Sequence, residues 1–169
     1  MQIIHSIITF ILIYIALYSY GFAITNKIYK HQDKDVFFTI LIGYLVVGTI
    51  TLILHFFFKI NNFISIFFII NSLIIFYYFR HKISINKNFL YILIILLFSF
   101  FLFGYSDHPI DANMYHHPYV SYLKSEKIIF AITNIQFRFG HISFLQYVQS
   151  ALTNDYLHKI SLASINIIF

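Results

Sequence analysis

Four long stretches of this chain contain no Asp, Glu, Lys or Arg, and they constrain its fold more than any other feature. They cover residues 3–24, 36–58, 63–79 and 89–105. A helix needs about 20 predominantly apolar residues, with a range of roughly 17–25, to cross the hydrocarbon core of a bilayer. Each stretch therefore predicts a transmembrane helix, and the fold class expected is an all-α, polytopic bundle with four full spans.

The composition excludes a soluble protein. Of 169 residues, 60% are apolar and only 10% are charged, whereas an ordinary soluble domain has about 25% charged residues. So few charges cannot cover the surface that a soluble domain of this length leaves in water. The absence of Cys excludes disulfides and thiolate metal sites. The basic residues flank the spans rather than forming a soluble basic face, so nucleic-acid binding is not expected.

The basic residues between the spans predict the orientation. They are Lys27, Lys30 and Lys34 in the first loop, Arg80, Lys82 and Lys87 in the third, and Lys59 alone in the second. Loops rich in Lys and Arg stay in the cytoplasm. We therefore expect the N-terminus to lie outside, and the chain to emerge outside again after the fourth span. Three basic residues in the external segment, Lys124, Lys127 and Arg138, reduce this bias without reversing it.

The composition changes after the fourth span. Four of the six acidic residues, five of the nine histidines and both prolines lie beyond position 105. This predicts three regions: a transmembrane region over 1–105, an external or interfacial segment over 106–155 that holds the functional residues, and the start of a fifth span over 156–169. Because an apolar run stops at the last residue, we interpret the sequence as the N-terminal part of a longer protein whose further helices are missing.

Two short helices are expected in segment 106–155. An apolar stripe with helical spacing is formed by Tyr115, Tyr119, Tyr122 and Leu123. It predicts an amphipathic helix over 111–125 on the membrane surface, with Lys124 toward water and Pro118 as a kink. A second helix is expected over 141–153, dipping toward the bilayer.

The same segment holds the densest group of candidate site residues. Asp107 and Asp111 are four residues apart, as are Asp111 and Tyr115, so each pair shares a face if the segment is helical. Carboxylates near the imidazole of His116 suit a divalent cation, Mg²⁺ or Mn²⁺, or general-base chemistry on a hydroxyl. The alternative is that these are solvated loop residues, with Asp107 or Asp111 capping a helix.

Arg138 is a second candidate because it lies between two phenylalanines near the expected membrane surface. Its planar guanidinium could hold a phosphate, or it could anchor the chain by reaching toward lipid headgroups. Asn134, four residues earlier, could share its helix face. His55 and Asn71, each isolated in an apolar span, are interpreted as groups that bond neighbouring helices.

Two motifs carry a family resemblance. Asp111-Ala-Asn-Met-Tyr115-His116, followed by Asn134-Ile-Gln-Phe-Arg138-Phe-Gly140, resembles a family of bacterial polytopic membrane proteins related to the GT-C glycosyltransferases, which use lipid-linked sugars. The resemblance covers residues 107–153. The chain departs from it where GT-C enzymes often have an Asp-Glu pair, because Ala112 follows Asp111 here.

The resemblance implies an inner-membrane enzyme of cell-envelope polysaccharide assembly, with segment 106–155 in the periplasm and a polyprenyl-phosphate sugar as donor. It implies that Asp111 and His116 are catalytic, and that Tyr115, Asn134 and Arg138 bind substrate. A divalent cation would be held by Asp111, Asp107 and His116.

Two other classes of protein fit the same composition. One is a transporter or flippase of the same pathways, and the other is a structural membrane subunit. A flippase should carry ionisable residues inside its spans, and spans two to four contain only His55. This difference favours the enzyme.

Overall fold

A computed structural model describes residues 2–28, 35–83, 87–103, 117–128 and 144–153. Within these residues the chain is all-helical, as expected. The six helices are α1 (Gln2–Ile28), α2 (Val36–Phe57), α3 (Asn62–Phe79), α4 (Lys87–Phe103), α5 (His117–Ser125) and α6 (Phe144–Leu152).

Three of these helices are long and apolar enough to cross a membrane. Their spanning parts are Ile7–Ile28, Val36–Phe57 and Asn62–Phe79. The fourth predicted span corresponds to α4, which is apolar but has only 17 residues. The structure therefore supports three spans, and the full crossing by α4 remains a prediction. The expected start of a fifth span, over 156–169, lies outside the described residues.

Side-chain caps begin α2 and α3. The side chain of Asp35 accepts a hydrogen bond from the backbone N–H of Phe37 at 2.9 Å, and Asn61 accepts one from Ile64 at 3.1 Å. Such caps satisfy N–H groups that have no partner within the helix. The Asn61 cap begins α3 shortly after α2 ends at Phe57. The short connection over 58–61, called the α2–α3 turn below, reverses the direction of the chain between two helices that both contact α1 and α6.

The central helix of the bundle is α1. Of an 18-residue apolar stretch in its spanning part 61% is buried, against 39% in α2 and 17% in α3. It crosses α2 where two glycines face each other. A Cβ atom added to Gly21 would collide with the carbonyl oxygen of Thr39, and one added to Gly43 would collide with that of Leu17. The two backbones therefore touch, as small residues allow between membrane helices.

Aromatic rings join α1 to α3 and α4. Phe10 packs on Phe100 with ring centroids 5.2 Å apart, and Tyr14 packs edge-on against Phe89 at 5.1 Å. The hydroxyl of Tyr20, on α1, donates to the backbone carbonyl of Phe68 on α3 at 3.0 Å. Asn71 donates to that same hydroxyl at 3.2 Å, which confirms its predicted role between helices.

These contacts define the two ends of the bundle. The start of α1, the α2–α3 turn and the last residues of α4 lie at one end, here called the turn end. The basic residues Lys27, Arg80, Lys82 and Lys87 lie at or near helix ends on the opposite side.

The outward face of α3 is apolar. Its exposed large side chains are Phe63, Phe67, Ile70, Leu73, Ile74, Tyr77 and Tyr78. A continuous apolar surface of this kind is unfavourable in water, whereas acyl chains cover it without cost. It is the surface of a helix that faces lipid or further helices.

The two short helices pack at the turn end of the bundle. Seven of the nine residues of α6 are buried, and α6 lies against both α2 and α3. The ring of Phe144 lies so close to Gly48 that a Cβ there would be 2.5 Å from it. The short helix expected over 141–153 is thus present from Phe144, and it is part of the packed bundle.

The other short helix, α5, packs on α6. Tyr119 and Leu123 are buried, as the apolar stripe predicts. The expected helix over 111–125 is described only from His117, so Tyr115 lies outside the described residues. Pro118 is the second residue of α5, near the start of the helix, where proline is tolerated.

Candidate functional site at the α2–α3 turn

The site residues expected from the sequence lie outside the described residues. They are Asp107, Asp111, Tyr115, His116, Asn134 and Arg138. Their roles therefore remain predictions. Four of them are close in the chain to described helices. Asp111, Tyr115 and His116 precede the first residue of α5 by six, two and one positions, and Arg138 precedes the first residue of α6 by six.

His55 lies at the centre of the packing at the turn end. It belongs to the last turn of α2 and is fully buried. One ring nitrogen, Nε2, lies 3.0 Å from the backbone carbonyl oxygen of Glu126. The other, Nδ1, lies 3.1 Å from the hydroxyl of Tyr147 on α6. The prediction that this histidine bonds neighbouring elements is confirmed.

The partners of His55 determine its tautomer. A carbonyl oxygen only accepts hydrogen bonds, so Nε2 carries the proton and donates to Glu126. In the neutral imidazole Nδ1 then accepts from the hydroxyl of Tyr147, which is also hydrogen-bonded to the hydroxyl of Tyr119. The result is an ordered chain of hydrogen bonds from α5 through α6 to α2.

We call the group of His55, Tyr119, Tyr122 and Tyr147 the His55 cluster. Within it, Tyr119 and Tyr147 stay protonated. Burial raises the pKa of Tyr147, and the nearby Tyr119 adds to the effect. Burial likewise raises the pKa of Tyr119, because the phenolate form loses its hydration. The ring of Tyr122 packs edge-on against His55 with centroids 6.1 Å apart. The cluster therefore works as a neutral hydrogen-bonded contact between helices, and it offers no charged base near neutral pH.

Backbone contacts fix α5 and α6 to the bundle. The N–H of Ile60, in the α2–α3 turn, donates to the carbonyl of Leu123 at 2.9 Å. The hydroxyl of Ser65, on α3, donates to the carbonyl of Ser150 on α6 at 3.0 Å. Each bond replaces hydration of a buried polar group, so separating these elements would leave those groups unpaired.

The expectation that Lys124 points toward water is wrong. Its ammonium donates to the carbonyl of Thr153 at 2.6 Å, just beyond the end of α6, and its side chain is half-buried. A cation is favourable there because the last carbonyls of a helix have no partner within it. Lys124 therefore joins α5 to the C-terminal end of α6.

An amphipathic groove opens beside this packing, and we call it the turn groove. Its volume is about 900 Å³, within the range of ligand pockets. Its apolar wall consists of Leu54, Phe58, Phe63, Ile64, Phe67 and Ile128. Its polar edge consists of Lys59, Asn61, Ser125, Glu126 and Lys127. With two lysines and one glutamate the formal charge of this edge is +1.

The described residues do not test the predicted metal site. Within 2–28, 35–83, 87–103, 117–128 and 144–153 no three His, Cys, Asp or Glu side chains form a group that could hold a metal ion. The expected ligands Asp107, Asp111 and His116 lie outside those ranges. Their carboxylate and imidazole donors suit Mg²⁺ or Mn²⁺ by chemical type.

Sequence reasoning missed both the partner of His55 and the turn groove. His55 and Tyr147 are 92 residues apart in the chain, and no periodicity relates them. Lys59 entered the sequence argument only as a basic loop residue. The apolar stripe containing Tyr119 and Leu123 was the one signal that α5 packs on something, and it does not identify what.

Comparison with known proteins places the chain in a family. The sequence matches the family described as Domain of unknown function (DUF8201) over residues 3–169. No curated protein and no solved structure matches it. The family match extends over the membrane helices, over α5 and α6 and over the segments that hold the predicted site residues. The chain therefore belongs to the DUF8201 family of domains of unknown function.

Proposed function

We propose that this protein is a GT-C-like glycosyltransferase of the bacterial inner membrane, which transfers a sugar from a polyprenyl-phosphate donor during cell-envelope polysaccharide assembly. The packing of α5 on α6 at the turn end supports this proposal. Asp111 and Arg138 each precede one of these two helices by six residues. Two segments far apart in the chain thus lead into helices that contact each other.

The proposal includes an orientation. The turn end faces the periplasm, together with the N-terminus and segment 106–155, and α4 is the fourth span. The opposite end, with Lys27, Arg80, Lys82 and Lys87, faces the cytoplasm, in accord with the preference of basic loop residues for that side. A lipid-linked sugar keeps its tail in the bilayer. Its phosphate would therefore lie at the periplasmic membrane surface, close to α5.

In the proposed reaction a hydroxyl oxygen of the acceptor forms a bond to the anomeric carbon of the sugar. The bond from that carbon to the donor phosphate breaks, and polyprenyl phosphate leaves with the bonding electrons. Asp111 takes the proton of the hydroxyl, with His116 assisting. Arg138 binds the donor phosphate, while Tyr115 and Asn134 hold the substrates.

A divalent cation would add charge stabilisation to this reaction. It would be held by Asp111, Asp107 and His116, and it would neutralise the phosphate that leaves. The carboxylates provide oxygen ligands of the kind that Mg²⁺ prefers, and the imidazole is compatible with Mn²⁺.

Substitution of the two aspartates tests the proposal. Asp111→Asn keeps the volume of the side chain but removes its charge, so we expect a loss of roughly 100-fold or more in rate, the scale of general-base catalysis. Asp107→Asn, which removes one proposed cation ligand but not the proposed base, should lose much less. The measurement is complementation of a polysaccharide-negative strain with equal protein levels. Full rescue by Asp111→Asn would contradict the mechanism, and loss only with Asp107→Asn would assign the role to the other carboxylate.

The same experiment addresses the alternative classes. A flippase or structural subunit would tolerate both substitutions. The helices α2 and α3 contain no Asp, Glu, Lys or Arg, and their one histidine is His55. Both of its ring nitrogens bond to protein groups. That arrangement leaves no ionisable group facing a transport path in these two helices.

A further inference from the structure

We propose that the turn groove binds an anionic membrane phospholipid, with the phosphodiester on Lys59 and Lys127 and the acyl chains along the apolar wall. This inference stands on the described residues alone. It does not depend on the proposed glycosyltransferase activity.

The apolar wall of the groove belongs to the lipid-facing surface. Phe58 is 57% exposed, Phe63 is 77% exposed and Phe67 is 58% exposed. Phe63 and Phe67 continue the outward apolar face of α3, which the bilayer covers. An acyl chain entering from the membrane can therefore lie on these rings without crossing polar surface, because the wall is continuous with the hydrocarbon region.

The polar edge lies where a headgroup would be. Lys59 is in the α2–α3 turn, where α2 has ended, and Lys127 follows α5, which packs at the same end. A long lysine side chain near a helix end places its ammonium at the membrane surface. Lysines at the membrane surface attract anionic headgroups.

The charge of the edge selects the class of lipid. Two lysines and Glu126 give a formal charge of +1. A phosphodiester with an uncharged headgroup, as in phosphatidylglycerol, carries −1 and neutralises it. A zwitterionic lipid has no net charge and leaves the +1 of the edge uncompensated. A lipid with a terminal phosphate carries about −2 and gives the occupied edge a net negative charge.

Binding would connect two parts of the fold. Lys59 belongs to the α2–α3 turn, and Lys127 lies in the short segment that follows α5. The backbone of that segment is already joined to α2, because the N–H of Ile128 donates to the carbonyl of His55 at 3.3 Å. A phosphate between the two ammonium groups would hold the same elements together through charge. The lipid should therefore stabilise the packing of α5 on the bundle.

The test is lipid binding to the purified protein in a neutral detergent, measured by native mass spectrometry and by the thermal unfolding temperature. Short-chain phosphatidylglycerol should bind more tightly than phosphatidylcholine with the same chains, and it should raise the unfolding temperature more. Lys59→Gln and Lys127→Gln should each weaken phosphatidylglycerol binding roughly fivefold, because one lysine contributes about 1 kcal/mol to attraction of an anionic lipid surface. Lys82→Gln, an exposed lysine at the opposite end, is the matched control and should have no effect.

One further variant separates binding from folding defects. Glu126→Gln raises the charge of the edge to +2 and should tighten binding of phosphatidylglycerol, a gain that a damaged fold cannot produce.

Equal binding of the two lipids, or equal weakening by Lys82→Gln, would overturn the proposal in favour of non-specific lipid contact. Displacement of phosphatidylglycerol by an equimolar polyprenyl phosphate would overturn it too, because the groove would then be a site for the sugar carrier. Inorganic phosphate should not compete.

Discussion

At the scale of single residues, His55 joins α2 to α6 and to the segment that follows α5. It is fully buried near the end of an apolar helix, where an unpaired imidazole would be costly. Its two nitrogens instead bond the carbonyl of Glu126 and the hydroxyl of Tyr147. One side chain of α2 thus fixes both α6 and the segment that follows α5.

Replacing His55 by Ala should loosen this end of the protein. The substitution removes one hydrogen bond from the part-buried carbonyl of Glu126 and one from the buried hydroxyl of Tyr147, and leaving a buried polar group unsatisfied costs about 1–3 kcal/mol. We expect a lower thermal unfolding temperature in detergent and faster proteolysis of the chain after α5. Tyr147→Phe removes one of the two bonds and should have a smaller effect in the same direction.

His5 provides the control for this substitution. It is also a histidine in an apolar helix, but its side chain is exposed. His5→Ala should change stability by no more than about 0.5 kcal/mol, the usual range for a surface position. If His55→Ala and His5→Ala have equal effects, the hydrogen bonds of His55 do not hold the short helices in place.

At the scale of helices, the contact of α1 with α2 depends on two glycines. The added Cβ atoms at Gly21 and Gly43 would meet backbone carbonyls of the facing helix. Backbone cannot move aside as a side chain can, so the crossing requires the absence of a Cβ at both positions. The backbones approach closely enough for Cα–H to carbonyl contacts, which recur at such helix crossings.

Gly43→Ala should therefore separate α1 from α2. We expect a loss of about 1–3 kcal/mol or more, the scale of overpacking, even though Ala favours a helix over Gly. Gly48→Ala is the matched variant on the same helix, because its Cβ would meet only the side chains of Phe144 and Val148. It should cost less, since a ring at the start of α6 can turn away. Thermal unfolding of both variants in one detergent measures the difference, and equal losses would contradict the assigned crossing point.

Much of the helix layout could be predicted from hydrophobicity alone. The second span, expected over 36–58, is observed as Val36–Phe57, and the third, expected over 63–79, as Asn62–Phe79. The first helix continues past the expected end at 24 to Ile28, because no helix breaker follows and Lys27 is favourable in a last turn. Apolar runs and caps are local properties, so they can be read along the chain.

The arrangement of the short helices could not be predicted in the same way. The stripe containing Tyr119 and Leu123 indicates a buried face without identifying what covers it. Lys124 looks like a solvated end of α5 in the sequence, and only the position of Thr153 shows what it bonds. Contacts between residues this far apart depend on how the helices pack. The proposed catalytic residues, Asp111 and Arg138 among them, remain predictions from their motifs.

At the scale of the whole molecule, the two ends of the bundle differ in kind. The turn end carries the short helices, the His55 cluster and the turn groove with Lys59 and Lys127, whereas the opposite end carries Lys27, Arg80, Lys82 and Lys87 next to the spans. The proposed function requires the turn end to face the side on which lipid-linked sugars are used for envelope polysaccharides. The proposed function therefore depends on one claim, that the turn end faces the periplasm.

Labelling of introduced cysteines in intact spheroplasts tests that claim most directly. The chain has no Cys, so single substitutions give unambiguous labels. Ser125→Cys, exposed at the end of α5, and His81→Cys, exposed after α3 at the opposite end, are compared with a membrane-impermeant maleimide. We expect position 125 to be labelled at once and position 81 only after the membrane is opened. Labelling of position 81 alone in sealed spheroplasts would contradict the orientation and, with it, a periplasmic site.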